Sequence, residues 1–567
     1  MRNVTGSAWN PGLESELPRQ YRHLETLFRP ENSDTGVAEA DELAELTGLA
    51  PEELVRLRPG RLMLHELMVR VTADIVVPEG ESEEDLGIRF RAIADRILSG
   101  YLQPRLAEIE RCHAELREQV RERVEAIFSE SLFPEERERP ARRRFSVRTL
   151  WGFWRRTPER HESPRDRELQ IVAGFRERGL AAEEPLERAI FKGLYRVLGS
   201  ILARRGYLLS DRELMVRLVT DFVSNSHGSR RIGELIDPVV REAVAKEGYR
   251  WIPDAEKPVL FSLKGASAAG KSYLRPMLRK VIRDLGIGPD GYGTISPDIW
   301  RRLLLDYESL GEAYKYAGRL TSHEVLIIDG KLDRYIRDKA ERRGSIPHLV
   351  VDRFRFDSFT SEKVARILHG TYVKYVDTMY MYFIVTPPEA TVERGWQRGL
   401  ERGRFKAVED FLDHSVEAYT GMPKIFFKWL AYERPLYRYE FLDNSVPKGT
   451  YPRSIAYGTQ QEMTLFNPLG LVDIERYQKI NINARSPEAV YPDGPALAVE
   501  NNLGFLKQCL KRIPKVRFID PVTGQVYLRA RGGTLETVDE EILAALARDE
   551  SLARLFAALG LRLVAPV

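Results

Sequence analysis

The octapeptide Gly265-Ala266-Ser267-Ala268-Ala269-Gly270-Lys271-Ser272 fits the pattern G-x-x-x-x-G-K-[ST]. This pattern works only where a buried strand delivers the chain into a tight turn and a helix carries it away. Val259, Leu260, Phe261 and Leu263 supply the apolar run of a buried parallel strand. Leu274, Leu278, Val281, Ile282 and Leu285 then recur at helical spacing. Gly265 and Gly270 let the backbone turn closely around an anion. The eight residues are therefore the predicted phosphate cradle, their N–H groups and the helix's positive end facing phosphate oxygens. Lys271 is expected to reach the β- and γ-phosphates and Ser272 to ligate Mg²⁺, which makes ATP and Mg²⁺ the expected ligands. Pro276 falls in the second turn of that helix and predicts a kink or local irregularity.

The remainder of such a site is sought at the ends of later strands, where ligands bind in open α/β sheets. Thr294 to Asp298 reads as a strand ending in a carboxylate. Asp298 can serve as a base that takes a proton from an acceptor hydroxyl, or as a helix N-cap, and the two roles are compatible. His348 to Asp352 reads as a second acidic strand end, so Asp352 is the expected carboxylate near Mg²⁺. Asp329 is the alternative, although Val325, Ile328, Leu332, Tyr335 and Ile336 make a helical stripe around it. Tyr380 to Val385 is a further buried strand, stopped by Pro387 and Pro388. Arg394, Arg398 and Arg402 follow at intervals of four, with Arg404 just beyond. Such a cluster stabilises charge on a moving phosphoryl group, or forms a solvated face partnered by Glu393, Glu401 and Glu409. Arg353 and Arg355 are further candidates for gripping substrate. His65-Glu66 and His323-Glu324 begin like a zinc motif, but Val69 and Ile327 stand where its second His belongs.

The chain has 567 residues, a length for three or four domains, and alternating strands and helices after Pro258 imply an α/β domain with a parallel sheet. The first forty residues are polar and are expected to cover a surface loosely. Helical patterning occupies much of 41–250, including a stripe at Leu106, Ile109, His113, Leu116, Val120, Val124 and Ile127. Between Arg137 and Arg167 lie eleven Arg and four acidic residues with Trp151, Phe153 and Trp154 among them. That stretch is read as a solvated linker, with a nucleic-acid grip as the alternative. The expected domains are 1–136 (helical), 137–167 (basic linker), 168–250 (helical), 251–460 (α/β) and 461–567. The last is a small α+β C-terminal extension with a hairpin around Thr523-Gly524 and a helix at 538–559. A net charge of +3 does not by itself imply a nucleic-acid partner. Two cysteines, the lack of an 18-residue apolar run and the polar N-terminus point to a cytoplasmic protein without a membrane partner.

The strings GASAAGKS, ISPD, HLVVDRF, MYFIVTPPEA and ERGWQRGLERGR occur in that order, followed by Phe441-Leu442-Asp443-Asn444-Ser445. In this order they resemble the zeta toxin family of P-loop kinases, over roughly residues 251–460. The resemblance implies a P-loop kinase fold and ATP-dependent transfer of the γ-phosphate to a hydroxyl of a small molecule, in similar members a UDP-linked amino sugar. It implies Asp298 as the base, Asp352 as the strand-end acid, and Arg398 and Arg404 as the lid arginines beside Lys271. Where the family usually has Glu-Gly-Thr, this chain has Asp352-Arg353-Phe354. The alternative expectation is a regulatory NTPase module that engages a protein or nucleic-acid partner through its helical N-terminal region.

Overall fold

The computed structural model describes residues 6–80, 82–132, 164–353, 372–447 and 450–561. The basic stretch with Trp151, Phe153 and Trp154, and the candidate Arg355, lie outside the described residues. The chain forms two compact units.

The first unit comprises Met1–Tyr21, Met68–Asp95 and Glu247–Val567. It is built on ten strands: β1 (Val259–Lys264), β2 (Tyr292–Ile295), β3 (His348–Val351), β4 (Thr378–Val385), β5 (Leu436–Asp443), β6 (Arg453–Thr459), β7 (Glu462–Leu465), β8 (Lys515–Ile519), β9 (Val526–Arg531) and β10 (Thr534–Thr537). One sheet holds them all, in the order β10-β9-β8-β7-β6-β5-β4-β1-β3-β2. The half β2-β3-β1-β4-β5 is parallel throughout. Its central strands are apolar because both faces are covered: Phe261, Leu263, Phe383 and Phe441 are at most 1% exposed. Parallel order brings the C-terminal ends of β1 to β5 to one edge, where open α/β sheets bind ligands.

The tail does not stand apart as a small extension. Strand β6 pairs antiparallel with β5, and the sheet continues through β7 to β10. Without β6, the outer edge of β5 would present unpaired N–H and C=O groups, which sheets generally cover. The predicted hairpin is β8–β9, and the predicted terminal helix is two helices, Glu540–Leu546 and Glu550–Ala558.

The expected single helical domain over 1–136 also differs from what is found. Residues 68–95 belong to the α/β unit because backbone and side chains tie them there. Ile75 bridges Trp251, Val76 N–H donates to the Arg250 carbonyl at 2.9 Å, and Lys339 pairs with Asp74 at 2.5 Å. The N-terminal strap is not loose either. Ala8 is buried among Val392, Phe411, Leu412 and Val490, and Trp9 donates to Glu393 at 2.7 Å.

The second unit, Arg22–Leu67 with Arg96–Lys246, is helical. Val120, Val124, Ile127 and Phe128 of helix Leu106–Ser131 pack with Ile190, Leu194, Val197 and Leu198 of helix Pro185–Arg205. His113 lies on the buried face of the first of these, as its spacing predicts. Among the described residues, no helix is long and apolar enough to cross a membrane.

Candidate active site

The cradle leaves β1 at Gly265. A Cβ there would stand 3.1 Å from the Ile384 side chain, so β4 approaches too closely for anything larger than glycine without adjustment. Gly270 has φ +99°, and a Cβ would stand 2.2 Å from Asn444 Nδ2. Ala268 takes φ +61°, a conformation costing a non-glycine residue about 1 kcal/mol or more. Neighbouring strand ends hold the loop in this shape: Thr386 Oγ1 and Asn444 Nδ2 donate to the Ala269 carbonyl at 2.9 and 2.7 Å. Lys271 folds back and donates to the Gly265 and Ala266 carbonyls at 3.1 and 3.2 Å.

Pro276 does not kink a helix. Lys271–Leu274 is a 3₁₀ turn, and the α-helix starts only at Arg275, so Pro276 sits in its first turn. There the missing N–H has no intrahelical partner to lose.

A cavity of about 690 Å³ opens over the cradle. Asp298, Asp352, Arg398 and Arg404 all line it together with Lys271 and Ser272. Asp298 stands in the helical turn Pro297–Trp300 after β2, not at the strand end itself. It is not an N-cap. Arg301 Nε donates to Oδ1 at 2.9 Å, and Arg404 donates to Oδ2. Its surroundings oppose ionisation, but Arg404 and then Arg301 outweigh them and hold the carboxyl well below its usual range.

Asp352 directly follows β3, whereas Asp329 lies within helix Ser322–Arg343 and pairs with Arg353 at 3.0 Å. Arg353 is buried between Asp329 and Asp333, so its charge is committed inside the protein. Burial, only partly offset by Lys271, raises the Asp352 carboxyl. Arg394 spends its guanidinium on the Asn444 and Val446 carbonyls, at 2.9 and 2.8 Å. Arg398 is differently placed. Its Nη2 lies 3.4 Å from Ser267 Oγ, and its buried Nε has no hydrogen-bond partner among the described residues. Burial and then Arg404 weaken the charged form of Arg398, so an incoming anion finds a poorly compensated guanidinium.

Four features carried no recognised sequence signal. Glu83 reaches the cradle from the N-terminal segment and accepts from Ser272 Oγ at 3.1 Å. Lys264, buried at the end of β1, is pushed down to about 7 by burial and then Arg353. Lys406 lies 2.9 Å from His414 Nδ1 in the cavity wall. Burial and then Arg398 push Lys406 down to about 7, and burial with Lys406 keeps His414 neutral.

Ser272 Oγ and the Asp352 carboxylate are hard-oxygen donors of the kind that suits Mg²⁺, with Glu83 behind the Ser272 hydroxyl. Among the described residues, no three His, Cys, Asp or Glu side chains form a cage by themselves.

No family model and no curated protein matches this chain. Among solved structures, it is similar to a chain from the PezAT chromosomal toxin-antitoxin system of Streptococcus pneumoniae. That likeness has 14% identity over 36% of this chain and 74% of the other, at a TM-score of 0.25. A chain of the AvrRxo1-ORF1:-ORF2 complex shares 14% identity over 59% of this chain and 84% of its own, at a TM-score of 0.29. Both likenesses are distant.

Proposed function

We propose that this chain is a zeta-toxin-like P-loop kinase that transfers the γ-phosphate of ATP to a hydroxyl of a small molecule. The observation that carries this reading is one cavity shared by the Lys271–Ser272 cradle and a carboxylate, Asp298, held by two arginines. In this reading the cradle N–H groups and Lys271 bind the phosphates. Asp298 orients the acceptor hydroxyl and takes its proton as the oxygen bonds to the γ-phosphorus and the bond to ADP breaks. Arg398 and Arg404 stabilise charge on the moving group. Mg²⁺, when bound, would neutralise phosphate charge, with Ser272 and Asp352 on its side of the site.

A Lys271→Ala variant is expected to lose ATP affinity in equilibrium titration. Retention of wild-type affinity would overturn the reading.

A further inference from the structure

Glu83 is separated from Ser272 by 189 positions, yet its carboxylate bridges two hydroxyls at the sheet edge. Oε2 accepts from Ser272 at 3.1 Å, and Oε1 accepts from Ser296, just past β2, at 3.0 Å. Arg404 stands 3.5 Å from the same carboxylate while also holding Asp298. One glutamate thus touches the hydroxyl expected to face the metal and the arginine expected to face the γ-phosphate.

The segment that carries Glu83 is built into the α/β unit. Before it, Ile75 bridges Trp251. Glu79 accepts from Thr294 Oγ1 at 2.9 Å and pairs with Arg275 at 3.3 Å. The Gly80 carbonyl accepts from Arg279 at 2.5 Å, and a Cβ on Gly80 would stand 2.2 Å from the Asp85 side chain. Ser82 N–H donates to Asp85 at 2.8 Å while Asp85 N–H donates to Ser82 Oγ at 3.3 Å. This reciprocal cap starts helix Glu83–Ile97 and fixes the direction of its first side chain. A removable blocking segment would not need anchors on both sides of the blocking residue.

We infer that Glu83 is a resident positioning residue of the nucleotide site, setting Ser272 and Arg404 and facing the divalent cation that accompanies ATP. The inference rests on the kinase reading above. It adds that Glu79 and Glu83 of the N-terminal segment complete a site otherwise drawn from β1 to β5. Partners of this kind, one step behind a metal ligand, typically change metal affinity by about 10–100-fold when removed.

The test uses the full chain, a fluorescent ribose-labelled ADP, and titrations with and without Mg²⁺. In Glu83→Gln, the gain conferred by Mg²⁺, the ratio of affinities with and without the ion, is expected to fall on the order of tenfold. Glu83→Asp should recover part of that gain. Tighter Mg²⁺–nucleotide binding in Glu83→Gln would overturn the inference by making Glu83 a blocking group. An unchanged Mg²⁺ gain would overturn it by making Glu83 merely structural, and so would loss of folding in both variants. Lys271→Ala serves as the control. If it binds the probe normally, the nucleotide reading itself fails, whatever Glu83 does.

Discussion

Arg404 donates to the carboxylate of Asp298 from just beyond the C-terminus of helix Pro388–Arg402. Gly403, at φ +70°, ends that helix and turns the chain so that Arg404 points back across the cavity. The pair keeps Asp298 ionised and spends part of Arg404's charge before any phosphate arrives. On the proposed kinase reading, a negatively charged transition state competes with Asp298 for Arg404, which would couple release of the carboxylate to stabilisation of the moving group.

Arg404→Ala and Arg398→Ala are expected to lower turnover more than ATP binding. Loss of one preorganised cationic donor costs about 10²–10³ in kcat. Steady-state ATP consumption in the presence of the acceptor, beside equilibrium ATP titration, separates the two effects.

The cradle depends on its glycine at position 270. Gly270→Ala places a Cβ against Asn444 Nδ2 and forces a left-handed residue with a side chain. The expected cost is about 1–2 kcal/mol of stability with a marked loss of nucleotide affinity. Urea unfolding and ATP titration of the variant measure both.

Lys406 gives the site a pH dependence. In the free protein its ammonium, pushed down to about 7, is mostly neutral above that pH. An anion bound beside it raises its affinity for a proton, so binding takes up protons and affinity falls as pH rises past about 7. Calorimetry at pH 8 in two buffers of different ionisation enthalpy should report that uptake. Lys406→Met should remove part of it, the remainder falling to Lys271, whose ammonium burial also pushes down in the same cavity.

Asp74 and Lys339 form a largely buried pair that ties the N-terminal segment to helix Ser322–Arg343. Lys339→Met takes the cation from the largely buried Asp74 carboxylate and leaves it the Tyr335 hydroxyl, and is expected to cost about 3 kcal/mol. Denaturant unfolding measures this loss. A near-neutral effect would mean that the segment contributes little to the unit.

The parts of this molecule that local pattern controls were legible in the sequence. Short, predominantly apolar runs marked β1 and β4, because a strand buried on both faces shows no solvated polar side. A 3.6-residue stripe put Asp329 on a helix and left the end of β3 to Asp352. The parts set by distant contacts were not legible. Nothing around Glu83 signals a ligand, since its meaning depends on a fold that brings it to Ser272. The commitment of Arg394 to the Asn444 and Val446 carbonyls is likewise invisible in its spacing from Arg398. The continuation of the sheet through β6 to β10 follows from the free edge of β5, a property of the assembled sheet and not of any one segment.

The central claim is that the γ-phosphate reaches a hydroxyl. Mass spectrometry of a metabolite extract incubated with the full chain and ATP tests this most directly. The account predicts a metabolite heavier by one phosphoryl group, formed by the wild type and absent with Lys271→Ala and Asp298→Ala. ATP turnover that yields only ADP and free phosphate, with no phosphorylated metabolite, would contradict it.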